Sequence, residues 1–330
     1  MDDGVHLRAD MYYPVDPTTK KRASGKFPVL LEQTPYGKDR IARGSANTAK
    51  YFVSRGYIFA VADLRGFGNS QGQASWFGSR MGQDGAKLVQ WAAHLESSSG
   101  KAGLTGCSYS GVAQYFTANS LSASSPVKAM APFCTDSNFY RDLTAFGGIP
   151  TQFIAAVRAL TPPGVDDNPA TDPFMQTMIS QGTGENAYYN DYWESLNVTR
   201  FMPKIVSLGI PVLSETGWYD LFPGANIDAT LAAQNSVGTT RLINRCDPPM
   251  LHPDAIKRSL GRGFTGSTLG IRCSRCCSNG STRGSREKRP ALPIQQSLYT
   301  CTWSAQTIGL IPQPIRSLIE PLPFTYRPGQ

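Results

Sequence analysis

No run of eighteen or more apolar residues occurs anywhere in this 330-residue chain, which excludes a membrane-spanning helix. The opening MDDGVHLRADMYYP has neither the basic nor the apolar segment of a secretory leader, so the expectation is a soluble, cytoplasmic protein. The seven cysteines are odd in number and come without such a leader, which does not describe a disulfide framework. Histidine is scarce: only His6, His94 and His252 occur.

The formal charge of +8 invites a nucleic-acid reading, but its distribution argues against one. Thirteen of the 32 Lys/Arg and four of the 24 Asp/Glu lie from Arg241 onward, leaving 19 basic and 20 acidic residues before it. The body is neutral and the tail is basic. Cysteines divide likewise, with Cys107 and Cys134 in the body and Cys246, Cys273, Cys276, Cys277 and Cys301 beyond it.

What the body does contain is an alternation of strand and helix signals. FPVLLEQTPY, YIFAVADLRG, KAGLTGCS, VKAMAPFC, IPVLSETGWYD and TTRLINRC read as apolar strands. Between them ANTAKYFVSRG, GQDGAKLVQWAAHL, YSGVAQYFTANS and GANIDATLAAQNS read as helices, with Ala86, Val89, Trp91 and Ala93 taken as the apolar positions of the second. Continuous apolar strands interleaved with helices predict a mostly parallel sheet covered on both faces. Ligands in such sheets bind beyond the carboxyl ends of the strands. Between residues 135 and 204 prolines punctuate aromatic clusters such as NAYYNDYWESL, and a segment of this length predicts an inserted cap. Its aromatics would serve equally to line a pocket or to pack the cap onto the body. The NVT triplet at Asn197 fits a glycosylation acceptor, but nothing else here points to secretion.

Two glycine-rich stretches do not support a nucleotide cofactor. In RGFGNSQG, Gln71 stands where a dinucleotide fingerprint needs its third glycine, and SSSGK precedes a strand instead of following one.

The stretch GCSYSG is different. A serine between a strand and a helix, flanked by glycines, has the form of a nucleophile elbow, yet Gly111 falls one position beyond the usual G-x-S-x-G spacing. Read alone, Ser108 is equally a small residue in a tight turn.

Taken with DGVHLRADMYYP, PVLLEQTPYGK, YFVSRGYIFAVADLRGFGNSQG, GQDGAKLVQW and IPVLSETGWYDLF, the stretch resembles the alpha/beta-hydrolase family of X-Pro dipeptidyl-peptidases, cocaine esterase and alpha-amino-acid ester hydrolases. Six ordered motifs spread over about two thirds of the chain are far more specific than any one of them. That family's elbow reads G-x-S-Y-x-G, so the displaced Gly111 matches its variant.

The resemblance implies a serine hydrolase acting on a small ester or short peptide, with no metal or organic cofactor. It implies Ser108 as nucleophile and Asp220, in GWYDLF, as triad acid. It implies the Tyr36 hydroxyl and the Tyr109 backbone N–H as oxyanion donors. A tyrosine in the place of Tyr36 would equally pack a sheet edge, and Asp220 would equally serve a turn. Chain order in this fold is serine, acid, histidine, so His6 and His94 come too early and His252 remains as general base. Its surroundings, CDPPMLHP, match the family's G-P-W-x-H segment poorly, and a surface histidine is the other reading.

Residues 1–246 thus read as the hydrolase domain and 247–330 as a basic, cysteine-rich, irregular tail, too short for the family's jelly-roll domain and too poor in apolar residues to order itself. The change in charge, cysteine usage and periodicity suggests that the tail does not derive from the family's reading frame or is otherwise degenerate. Zinc binding by Cys246, Cys273, Cys276 and Cys277 would need a second ligand pair at structural-site spacing, which the tail does not complete.

Overall fold

A computed structural model describes residues 1–74, 77–135, 137–151, 188–217, 222, 224, 228, 229 and 241–245. Its frame is a seven-stranded sheet built from β1 (Ala9–Tyr12), β2 (Phe27–Thr34), β3 (Ile58–Asp63), β4 (Ser98–Cys107), β5 (Val127–Phe133), β8 (Leu213–Gly217) and β9 (Arg241–Arg245). The small hairpin β6 (Ala145–Phe146) and β7 (Ile149–Pro150) stands apart from it. The order across the sheet is β1-β3-β2-β4-β5-β8-β9, and only the β1–β3 pair is antiparallel. The expected mostly parallel sheet is therefore present, with β4 as its middle strand.

Both faces are covered, and β3 shows why its sequence has no polar alternation. Ile58, Ala60 and Ala62 join the larger core on one face, and Phe59 and Val61 pack with Ala49 and Val53 of helix α1 (Lys38–Val53) on the other. A strand buried on both faces needs apolar residues at every position, which is the run read from the sequence. The larger core receives α2 (Ser79–Ala93) and α3 (Tyr109–Asn119), through Leu88, Val89 and Ala92 and through Val112, Ala113 and Phe116.

Trp91 is not among the buried residues of α2. It is 40% exposed, and the inward face is Met81, Gly85, Leu88, Val89 and Ala92, which follow the i, i+4, i+7, i+8, i+11 spacing of one helical stripe. Helix α1 begins at Lys38, ahead of the predicted start near Ala46.

Part of the stretch read as an inserted cap is described. A π-helical turn (Tyr140–Thr144) leads into the β6–β7 hairpin, and after the segment outside the described residues come α4 (Asp191–Leu196), a 3-10 turn (Val198–Phe201) and α5 (Met202–Ser207). Trp193, Leu196, Val198, Met202 and Ile205 are buried in the larger core, and Phe201 meets Phe116 of α3 edge-on with ring centroids 5.1 Å apart. The end of this stretch thus packs behind α3. Most of the fourth predicted helix, and everything from Cys246 onward including the cysteine-rich tail, lies outside the described residues. No helix among the described residues is long and apolar enough to cross a membrane.

Candidate active site

Ser108 sits at the junction of β4 and α3 with φ 57° and ψ −125°, a conformation that non-glycine residues rarely adopt. Such a residue costs on the order of 1–3 kcal/mol and persists only where its surroundings over-determine it. Here they do. The Ser108 N–H donates to the Phe133 carbonyl at the end of β5 (2.9 Å), and the Ser108 carbonyl accepts from the N–H groups of Gly111 and Val112 (2.9 and 3.0 Å). The turn is pinned to the neighbouring strand on one side and to the first turn of α3 on the other.

The displaced glycine has a steric cause. A Cβ at Gly111 would lie 2.2 Å from Thr135 Cγ2, 3.0 Å from the Phe133 carbonyl oxygen and 3.2 Å from that of Gly106. At position 111 a side chain would therefore collide with the strand ends, whereas position 110 holds a serine, whose side chain is buried.

Tyr36 reaches this turn from the loop after β2. Its hydroxyl donates to Ser108 Oγ at 3.1 Å, and its oxygen accepts the backbone N–H of Tyr109 at 3.2 Å. Burial is the largest influence on the phenol and raises its pKa above the ordinary value, against the opposing effect of its hydrogen bonds with Ser108 and Tyr109. The Tyr109 ring is buried against Phe77, stacked at 4.6 Å between centroids, and Phe77 in turn meets Phe139 at 4.0 Å. An aromatic wall thereby fixes the residue whose N–H faces the turn. The structure brings Tyr36, Ser108 and Tyr109 together; Asp220 and His252 lie outside the described residues. His94 ends α2 with Nδ1 2.7 Å from the Gln90 carbonyl oxygen, and His6 is exposed ahead of β1.

A half-buried hydroxyl on a strained strand-to-helix turn, with an O–H and an N–H converging beside it, is the local geometry that acyl transfer requires. Comparison with known proteins agrees with that geometry. The family model for X-Pro dipeptidyl-peptidase (S15 family) matches residues 3–244. The chain belongs to this family.

Cocaine esterase from Rhodococcus sp. (strain MB1 Bresler) is 24% identical over 300 residues, which cover 80% of this chain and 50% of that one. A putative serine esterase of Mycobacterium bovis is 28% identical over 168 residues, 45% of this chain and 26% of its own. Among solved structures, a CocE/NonD family hydrolase from Staphylococcus aureus superposes with a TM-score of 0.62 at 22% identity, covering 78% of this chain and 47% of that one. An alpha-amino acid ester hydrolase gives 0.60 at 18% identity, covering 80% and 48%. The S15-family chain described here thus has the alpha/beta-hydrolase fold, and it spans half the length of the cocaine esterase and less of the mycobacterial relative.

One polar side chain beside the site has no local sequence signal. Asp63, fully buried at the end of β3, accepts the backbone N–H of Lys38 at 2.5 Å through Oδ1 and that of Asn69 at 2.9 Å through Oδ2. The only hint in the sequence is a carboxylate closing the otherwise apolar run IFAVAD.

Proposed function

We propose that this chain is a serine hydrolase that transfers an acyl group from an ester or amide, the X-Pro dipeptide bond included, to water. The observation that carries the reading is the strained Ser108 with the Tyr36 hydroxyl 3.1 Å from its Oγ and the Tyr109 N–H on the same phenol oxygen. Ser108 Oγ attacks the substrate carbonyl while His252 takes its proton, and Asp220 holds the imidazole in the tautomer that can do so. The carbonyl oxygen becomes an oxyanion held by the Tyr36 O–H and the Tyr109 N–H. Collapse expels the alcohol or amine, which receives the proton from His252 and leaves an ester on Ser108. Water, deprotonated by His252, then attacks that ester, and the acid departs as Ser108 Oγ takes the proton back from His252.

In the resting site the phenol oxygen is the acceptor for Tyr109, so the N–H is not orphaned before substrate arrives. An incoming carbonyl oxygen replaces that acceptor, and both donors then meet the same atom. The names of the relatives, an esterase and a dipeptidyl-peptidase family, support ester and amide substrates.

The test is labelling of the full chain with a fluorophosphonate, followed by a panel of aryl esters, amino-acid esters and a proline dipeptide anilide. Labelling of the parent that disappears in Ser108→Ala and falls steeply in His252→Ala and Asp220→Asn supports the triad. A folded parent that takes no label defeats it and favours a second reading, an inactive hydrolase-fold protein, for which the poorly matching residues around His252 already speak.

A further inference from the structure

Resting on the reading of Tyr36 as an oxyanion donor, we infer that Asp63 is a positioning residue acting through Tyr36, its carboxylate gripping the peptide N–H two residues beyond the tyrosine and so aiming the phenol at Ser108. A carboxylate with no exposed surface is costly to bury, and among the described residues Asp63 takes part in no ion pair. The nearby ammonium of Lys38 goes instead to Asp10 (3.1 Å) and Asp39 (2.9 Å). Backbone donors take the place of a cation.

The more informative of these donors is Lys38, the first residue of α1. Its N–H has no acceptor inside the helix, and Gly37 before it brings no capping side chain. Asp63 supplies the cap from the neighbouring strand, with a negative charge where the helix dipole favours one. Register makes this reproducible. Asp63 lies directly across from Thr34 in the β2–β3 pair, and the Leu64 N–H donates to the Thr34 carbonyl at 2.9 Å. Thr34 Oγ1 in turn accepts the Tyr36 N–H at 3.1 Å. The five residues 34 to 38 are therefore held at both ends by one cross-strand pair, with Tyr36 at the centre.

The loop after β3 is built around the same carboxylate. A Cβ at Gly68 would fall 2.4 Å from Asp63 Oδ2, and Gly68 has φ +56°. The neighbouring Asn69 N–H completes the second oxygen, and Ser70 Oγ donates to the Asp63 carbonyl at 2.7 Å. The purpose of this closeness is accuracy at the phenol, because about 1 Å of misplacement of a catalytic group is enough to lose about a hundredfold in rate.

The experiment compares Asp63→Asn, Tyr36→Phe and the double variant in the full chain, by fluorophosphonate labelling rate and by kcat and KM on an aryl ester. The asparagine has the same shape but turns an NH2 toward one of the two backbone N–H groups. Asp63→Asn is expected to lower kcat roughly 10- to 100-fold with KM little changed, and Tyr36→Phe roughly 100- to 1,000-fold. The double variant is expected to be no slower than Tyr36→Phe alone. Thr34→Val, which removes the other anchor, is expected to behave as Asp63→Asn does. Hydrogen exchange is read on the same proteins: Asp63→Asn should accelerate exchange across residues 35–39 while β4 and α3 exchange as in the parent. Losses that multiply in the double variant, or unchanged exchange across 35–39, would overturn the inference. A parent that neither labels nor turns over would defeat the hydrolase reading separately, and the exchange comparison would still decide whether Asp63 holds the Tyr36 loop.

Discussion

Replacing Gly111 by alanine tests the elbow with one methyl group. In a free helix the change would be favourable by up to about 1 kcal/mol. Here the new Cβ would arrive 2.2 Å from Thr135 Cγ2 and 3.0 Å from the Phe133 carbonyl oxygen. The threonine is buried, so its methyl can move only by disturbing its own packing, and the carbonyl is held as well, because it accepts the Ser108 N–H and belongs to a strand paired on both sides. Overpacking of this kind costs roughly 1–3 kcal/mol, and a contact with fixed backbone belongs near the top of that range. A net loss of roughly 2 kcal/mol follows, or a melting temperature lower by about 4–8 °C for a domain of about 250 residues. Thermal and urea denaturation measure it. Adding Thr135→Ser removes the 2.2 Å contact and leaves the 3.0 Å one, so about half of the loss should return. Fluorophosphonate labelling of Gly111→Ala should slow at least about tenfold, since the helix can relieve the contact only by tilting the turn that holds Ser108. A variant as stable as its parent, or one that Thr135→Ser does not improve, would refute the close-approach argument.

Ser108→Gly should abolish labelling and yet stabilise the fold by up to about 1 kcal/mol, because glycine tolerates φ 57° without strain; Ser108→Ala should abolish labelling with no such gain, and equal melting points for the two would count against strain at this position. Tyr36→Phe should also lower stability, by roughly 1–3 kcal/mol, since the Tyr109 N–H loses its acceptor; a thermal melt that matches the parent would contradict the 3.2 Å bond. Burial raises the Tyr36 pKa, so the folded protein keeps that proton at pH values where an unfolded chain has begun to lose it. The stability so contributed is present below pH 10.0 and is lost as pH rises through the folded value. The Tyr36 phenol accordingly keeps its proton to higher pH than an unfolded chain does, and a Tyr36-dependent fall in kcat with its midpoint below pH 10.0 would contradict the buried phenol.

The parts of the fold that sequence alone reveals are those decided by burial of local runs. β2, β3, β4 and β5 each contain an apolar run bounded by turns, fully buried in β3, and their limits fall within a few residues of the expected ones. The start of α1 could not be read that way, because its cap comes from Asp63 on another strand, not from Gly37 beside it. Trp91 was drawn into the predicted core of α2 by its hydrophobicity, when the small Gly85 and Ala92 occupy the face that meets the body. At the site, the glycine-flanked turn of Ser108 is legible locally but leaves the serine's role open, and Tyr36 lies 72 positions away, so only a resemblance connects the two. Asp63 has only its place at the end of an apolar run to mark it, since its partners are backbone groups that any residue type would offer.

The place of β4 in the sheet has a historical consequence. Among the described strands three flank it on each side, so the serine follows the most sheltered of them, whereas β9, which precedes His252 in the chain, is the outermost described on its side. Rim strands open first and tolerate change most readily. In a lineage still selected to fold but no longer to catalyse, substitutions would accumulate first at the rim and erase the proposed proton acceptor while the turn of the proposed nucleophile kept its shape. Relics of such enzymes should therefore be recognised by intact elbows with eroded final strands, and the order of decay could be read from a set of sequences as a clock running from the margin of the sheet to its centre.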